Sequence, residues 1–342
     1  MSDTKINLYA VYGITHPWED EPFDESALPA QILPNVTIEN VASMFTKNSF
    51  DLFAGSLSPN DLKSLRAVKY AVVERFRKPS FHGEEEQKFD IGQTVYNLAA
   101  CLRLIRPMRQ FSMRIHGVLK ADGKLDVGGF DHPVHLMEVP AIQKDFRLRN
   151  RDIQEFQTVA SQFQNAMAGE YWKFRMPLSL HEAAHFIDNQ WKARMSLMCS
   201  AIEAIYTSQT PDRQHSGSKV AKARIKWLLG EGTSIYAPGD VQSFNRGGKE
   251  PTLADVLDDL YTVRNCIAHG DRVPDKYFSG YWSGSPYDSA QTNFISVLEE
   301  AASFIVRASL LRILKDKLLL HFKGSPESQA YFAGHNLVRA KL

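Results

Sequence analysis

The spacing of apolar residues changes along this chain. Up to about residue 150 it switches between a period of two and a period of three to four. Residues 5–14, KINLYAVYGI, alternate and predict a strand, followed by a Pro-rich acidic connection over 16–35. Helical spacing is expected over 59–77 and 93–107, the second mostly buried. SMRIHGVLK and KLDVGGF flank Ala121-Asp122-Gly123 and predict a β-hairpin, and HPVHLMEVP at 132–140 offers another strand. From about 150 a helical period dominates to 322, broken by polar loops at 208–218, 231–250 and 271–289. The expected fold class is α+β: a mixed α/β domain over 1–170 and an all-α helical domain over 171–322. Residues 323–342 form a tail, loosely held unless Tyr331 and Phe332 anchor it.

One helix of the second half breaks its own pattern. The helix that ends in LYTVRNCIAHGD, residues 260–271, carries one apolar stripe of Leu253, Val256, Leu257, Leu260, Val263 and Ile267, and Arg264 falls near its centre. A guanidinium against a core must meet a carboxylate, a phosphate or an open cleft. Glu203 and Glu300 are the acids that would pair with it internally. His269 precedes a glycine placed to end the helix, where the helix dipole favours an imidazolium. It serves there as a cap or as a proton donor. Arg264 and His269 stand about 140° apart on an ideal helix, so one straight helix does not aim both at one target. Asn265 and His269, four apart, share a face.

These residues, R-N-x-x-A-H-G, resemble the signature of HEPN domains, in which Arg and His end one helix of a small all-α bundle. Residues 191–208 are similar to the long helix of the Apea-like HEPN branch with its A-x-E-A pattern, and 219–230 to the helix after it; the resemblance covers about 176–322. It implies a homodimer through the HEPN domain and, in active members, a metal-independent endoribonuclease that needs no cofactor. There the 2′-OH attacks phosphorus and leaves a 2′,3′-cyclic phosphate. Carried over, Arg264 would bind the scissile phosphate, His269 would be general acid or base, and Asn265 would orient groups by hydrogen bonds. Many members are instead inert dimerisation or nucleotide- or RNA-binding modules. The family's setting is bacterial defence or toxin systems, with RNA and an antitoxin or trigger protein as partners. The first domain would then sense the trigger or present substrate.

Basic residues supply a candidate RNA track: Lys219, Lys222, Arg224 and Lys226 before Trp227, and Arg272 and Lys276 after the motif. Arg246 and Lys249 lie in a Gly-rich loop, and Tyr281, Trp282 and Tyr287 offer stacking faces or loop packing. A further basic set, Arg103, Arg106, Arg109 and Arg114 with Lys144, Arg147, Arg149 and Arg151, serves recruitment or salt bridges.

His181-Glu182-x-x-His185 matches the zinc-peptidase pattern, with two His ligands and Glu182 as base. Against it, no metzincin-type G-x-x-H follows, and Glu203, the one nearby third ligand, would lie ~27 Å away on one continuous helix. The stripe through Leu180, Ala184, Ile187, Trp191, Met198, Ile202 and Ile205 also places both histidines on its far, solvated face.

The net charge of +1 over 342 residues excludes an indiscriminate nucleic-acid coat. Cys101, Cys199 and Cys266 lack ligand spacing and suit a reduced, cytoplasmic protein. No stretch reads as a signal peptide or membrane span.

Overall fold

The computed structural model describes residues 4–11, 24–55, 59, 62, 66, 68–77, 93–106, 114–130, 149–185, 187, 190–207, 217–235, 252–279 and 294–335. The chain divides into two compact units, Met1–Leu136 with Phe146–Gln164, and Met137–Asp145 with Asn165–Leu342.

The first unit is built on a six-stranded antiparallel sheet: β1 (Thr4–Val11), β2 (Ala30–Leu33), β3 (Val36–Asn40), β4 (Tyr70–Arg77), β5 (Arg114–Leu119) and β6 (Leu125–Phe130), in the order β2-β3-β4-β1-β5-β6. The β5–β6 hairpin turns where expected, at Gly123, whose φ of 78° suits a residue without Cβ. The helix expected over 59–77 is met in its first half, where Pro59, Leu62 and Arg66 are helical, and β4 corrects its second half. Its Val72 and Val73 suit a pleated surface, and ladders to β1 and β3 on both sides outweigh the helical spacing of the segment. Ala71 and Val73 enter a cluster with Val41, Phe50, Ile115 and Leu125, while Val72 is buried on the opposite face. β2 corrects the connection expected over 16–35. Its four residues sit at the sheet edge, where flanking prolines cost no ladder bond. The strand expected at 132–140 lies outside the described residues.

α1 (Gln93–Ile105) lies against β4 and β1. Beyond it Arg106 donates to both carboxylate oxygens of Asp152, Nε–Oδ2 3.0 Å and Nη2–Oδ1 3.1 Å, at the start of α2 (Asn150–Ala168). Both side chains are buried, so this member of the second basic set is a structural clamp.

The described part of the second unit is helical: α3 (Trp172–His185), α4 (Trp191–Tyr206), α5 (Gly217–Leu229), α6 (Leu253–His269), the short α7 (Lys276–Ser279), α8 (Phe294–Lys315) and α9 (Ser325–Gly334). The single long helix expected to carry both His181 and Glu203 is two helices. α3 stops at His185, α4 starts after Gln190, and the two pack on each other. α9 is the tail. Phe332 is fully buried, and Trp227, Phe322 and Tyr331 surround it with ring centroids 5.4–6.3 Å away. Among the described residues no helix is long and apolar enough to cross a membrane.

Candidate functional site

α6 is fixed at both ends. At its start the Asp255 carboxylate accepts from the Thr252 backbone N–H at 2.9 Å and from its hydroxyl at 2.8 Å. At its end Gly270 takes φ 73°, and the Asp271 N–H donates to the Cys266 carbonyl at 2.8 Å. His269 is therefore the last helical residue, beside the left-handed glycine.

Between these ends the apolar stripe is buried from Leu253 through Val263 and then opens, with Ile267 half-buried. Arg264 stands where it opens. Its Nη2 lies 2.6 Å from Glu203 Oε1 on α4, and each side chain keeps 30% of its surface exposed. Nη1 donates to Asn265 Oδ1 at 3.2 Å. The guanidinium is thus neutralised by an internal acid but not sealed. An ion pair this open is worth about 0–1 kcal/mol, little enough for an incoming anion to replace the carboxylate.

Two buried residues lie behind the pair. Burial pushes the Cys199 thiol up to about 12, Glu203 adding to the shift and Arg264 opposing it. Burial also pushes the Tyr261 phenol up, with Cys199 and Glu203 adding to the effect and Arg264 again opposing. The Tyr261 hydroxyl is buried without a hydrogen-bond partner, a condition costing about 1–3 kcal/mol.

Asn265 and His269 are both exposed on the outer face of α6. The helix runs unbroken to His269, so the angular offset of about 140° from Arg264 persists within one chain. The structure brings Arg264 together with Asn265 and Glu203, and does not bring it together with His269. Glu203 was legible as one of two acids able to pair with Arg264. Tyr261 was legible as part of the L-Y-x-x-R run that leads into the motif, and no spacing marked its hydroxyl as unpartnered.

The basic track is largely spoken for. Arg224 is a correction: it is buried, its Nη1 donating to the Tyr206 carbonyl at 2.6 Å and its Nη2 to Gln329 Oε1 at 2.9 Å, with the guanidinium 4.6 Å from the Phe332 ring centroid. A cation spent on a helix end inside the bundle cannot reach RNA. Lys222 pairs with Asp258 at 2.5 Å, Lys226 with Glu231 at 3.9 Å, Arg272 with Asp275 at 2.8 Å and Lys276 with Asp259 at 3.2 Å. These pairs are exposed on at least one side and weak enough to exchange for phosphate. Lys219 is exposed. Arg246, Lys249, Tyr281, Trp282 and Tyr287 lie outside the described residues.

His181 is a second correction. Its ring is 0% exposed, with Nε2 3.1 Å from Ser303 Oγ on α8 and Nδ1 3.9 Å from Glu182 Oε1. The buried face of α3 runs through Phe174, Leu178, His181 and Ala184, one residue out of phase with the stripe expected through Leu180. A catalytic zinc needs a position open to water, and a ring at this depth offers none. Among the described residues no group of three or more His, Cys, Asp or Glu is placed to hold a metal ion. The side chain of His185 lies outside the described ones.

No protein-family model, no curated protein and no solved structure matches this chain.

Proposed function

We propose that the helical unit is a HEPN-like module acting as a metal-independent endoribonuclease. In this reading Arg264 holds the scissile phosphate, His269 transfers the proton and Asn265 orients the groups beside it. The observation that carries the reading is the half-open Arg264–Glu203 pair: an obligate cation at the mouth of an apolar stripe, held by an acid that an anion can replace. His269 stands exposed at a glycine-ended helix terminus, where solvent or substrate can reach it.

The offset between Arg264 and His269 supports a site completed across a two-fold homodimer, Arg264 from one chain acting with His269 from the other. Attack by the 2′-OH on the adjacent phosphorus expels the 5′-oxygen. His269 of one chain takes or returns the proton, and Arg264 of the other offsets the charge gathering on the non-bridging oxygens.

Purified protein is expected to cleave RNA in the presence of EDTA. His269→Ala is expected to lower the rate by about 10²–10⁴, and Arg264→Ala by about 10²–10³, with circular dichroism unchanged. Equal cleavage by both variants refutes the assignment. A second reading is favoured by the same ion pair. If Glu203 is the permanent partner of Arg264, the unit is a non-catalytic HEPN dimerisation or RNA-binding module, and neither variant alters RNA turnover.

A further inference from the structure

The Tyr261 hydroxyl is the group in this region that packing does not explain. Phenylalanine would fill the same space in α6 without a buried, unpartnered oxygen. Tyr261 lies one helical turn before Arg264, and its phenol is close enough to Cys199, Glu203 and Arg264 to feel all three. Glu203 and Arg264 are half-open to solvent, and Tyr261, on the same helix as Arg264, is buried.

Resting on the reading of Arg264 as the phosphate-binding residue, we propose that Tyr261 is a second donor of that phosphate site, and that Glu203 is the resident anion which a substrate phosphodiester displaces. The exchange conserves charge, since one carboxylate leaves and one singly charged phosphodiester enters, so Arg264 is neutralised in both states. The change of shape is what recruits Tyr261. A planar carboxylate on Arg264 leaves the phenol without an acceptor, whereas a tetrahedral phosphate with two non-bridging oxygens can offer one to the guanidinium and the other to the phenol. Glu203 has the means to withdraw: its side chain has three rotatable bonds and an open path to water. Burial keeps the phenol protonated through the neutral range, so it serves as a donor and not as a base.

The proposal separates two residues by the sign of their effects. Binding is measured with a short single-stranded RNA made non-cleavable by 2′-deoxy substitution, on the full-length protein, alongside cleavage of the unmodified RNA and thermal melting. Tyr261→Phe is expected to melt no lower than wild type, and to weaken binding of the analogue by about 10- to 100-fold, as loss of a hydrogen bond to a charged group does. Glu203→Gln is expected to tighten binding, because no carboxylate competes for Arg264. If Tyr261→Phe binds as wild type does while Arg264→Ala loses binding, the proposal is overturned and the nuclease reading survives. If Glu203→Gln weakens binding, Glu203 positions the arginine and does not hold its place, and the proposal is overturned on that side. If Arg264→Ala binds and cleaves as wild type does, the nuclease reading falls and this proposal falls with it.

Discussion

Two arginines in this bundle show how much a residue's surroundings decide. Arg224 and Arg264 each sit on a helix face that carries apolar residues, and the sequence offered both to RNA. Arg224 is closed in by the end of α4, Gln329 and Phe332, whereas Arg264 emerges where its stripe opens. Arg224→Ala is expected to destabilise the protein by about 2–4 kcal/mol in urea denaturation, because it orphans buried acceptors, while leaving RNA affinity unchanged. Lys173 caps the same helix end, donating to the Ala204 carbonyl at 2.8 Å and to the Thr207 carbonyl, and burial brings its ammonium down to about 8. Its folded pKa lies below its unfolded value, so between about pH 8 and 10.5 the unfolded chain holds more protons. Lys173 therefore adds stability as pH rises through that window. Denaturation of wild type and Lys173→Met at pH 7 and 9.5 is expected to show wild type gaining on the variant by on the order of 1 kcal/mol. At this scale the sequence displayed residue types but not depth. A one-residue error in the phase of α3 placed His181 in solvent, and only the packing against Ser303 returned it to the core.

The elements were legible where local chemistry and tertiary packing agree. α6 declares itself by its stripe, by Thr252 and Asp255 at its start and by Gly270 at its end, and the hairpin at Gly123 does so by its turn residues. β4 was not legible, because its ladder partners β1 and β3 lie far away in sequence, and a short apolar run reads equally well as helix until they are known. The break between α3 and α4 was missed for a related reason: apolar spacing continues across it. The cap of α6 can be tested by itself. A Cβ at Gly270 would meet nothing within 4 Å, so Gly270→Ala carries only the left-handed backbone cost of about 1 kcal/mol, and Gly270→Asn is expected to cost less. Thermal melting of the two variants checks the order.

For the molecule as a whole, the helical unit closes with a tail that behaves as core. Phe332→Ala is expected to cost about 3–5 kcal/mol, measured by denaturation, since it empties the ring cluster under α9. The central claim is that Arg264 and His269 serve one phosphate from two different chains. Its direct measurement is metal-free RNA cleavage by Arg264→Ala protein and His269→Ala protein, assayed separately and after mixing under conditions that let subunits exchange. Each alone is expected to be inactive. Mixing is expected to restore about a quarter of wild-type activity, because half of the dimers are mixed and one of the two sites in each is whole. Full activity in either single variant, or silence in the wild type, contradicts the claim; so does a mixture no more active than its parts.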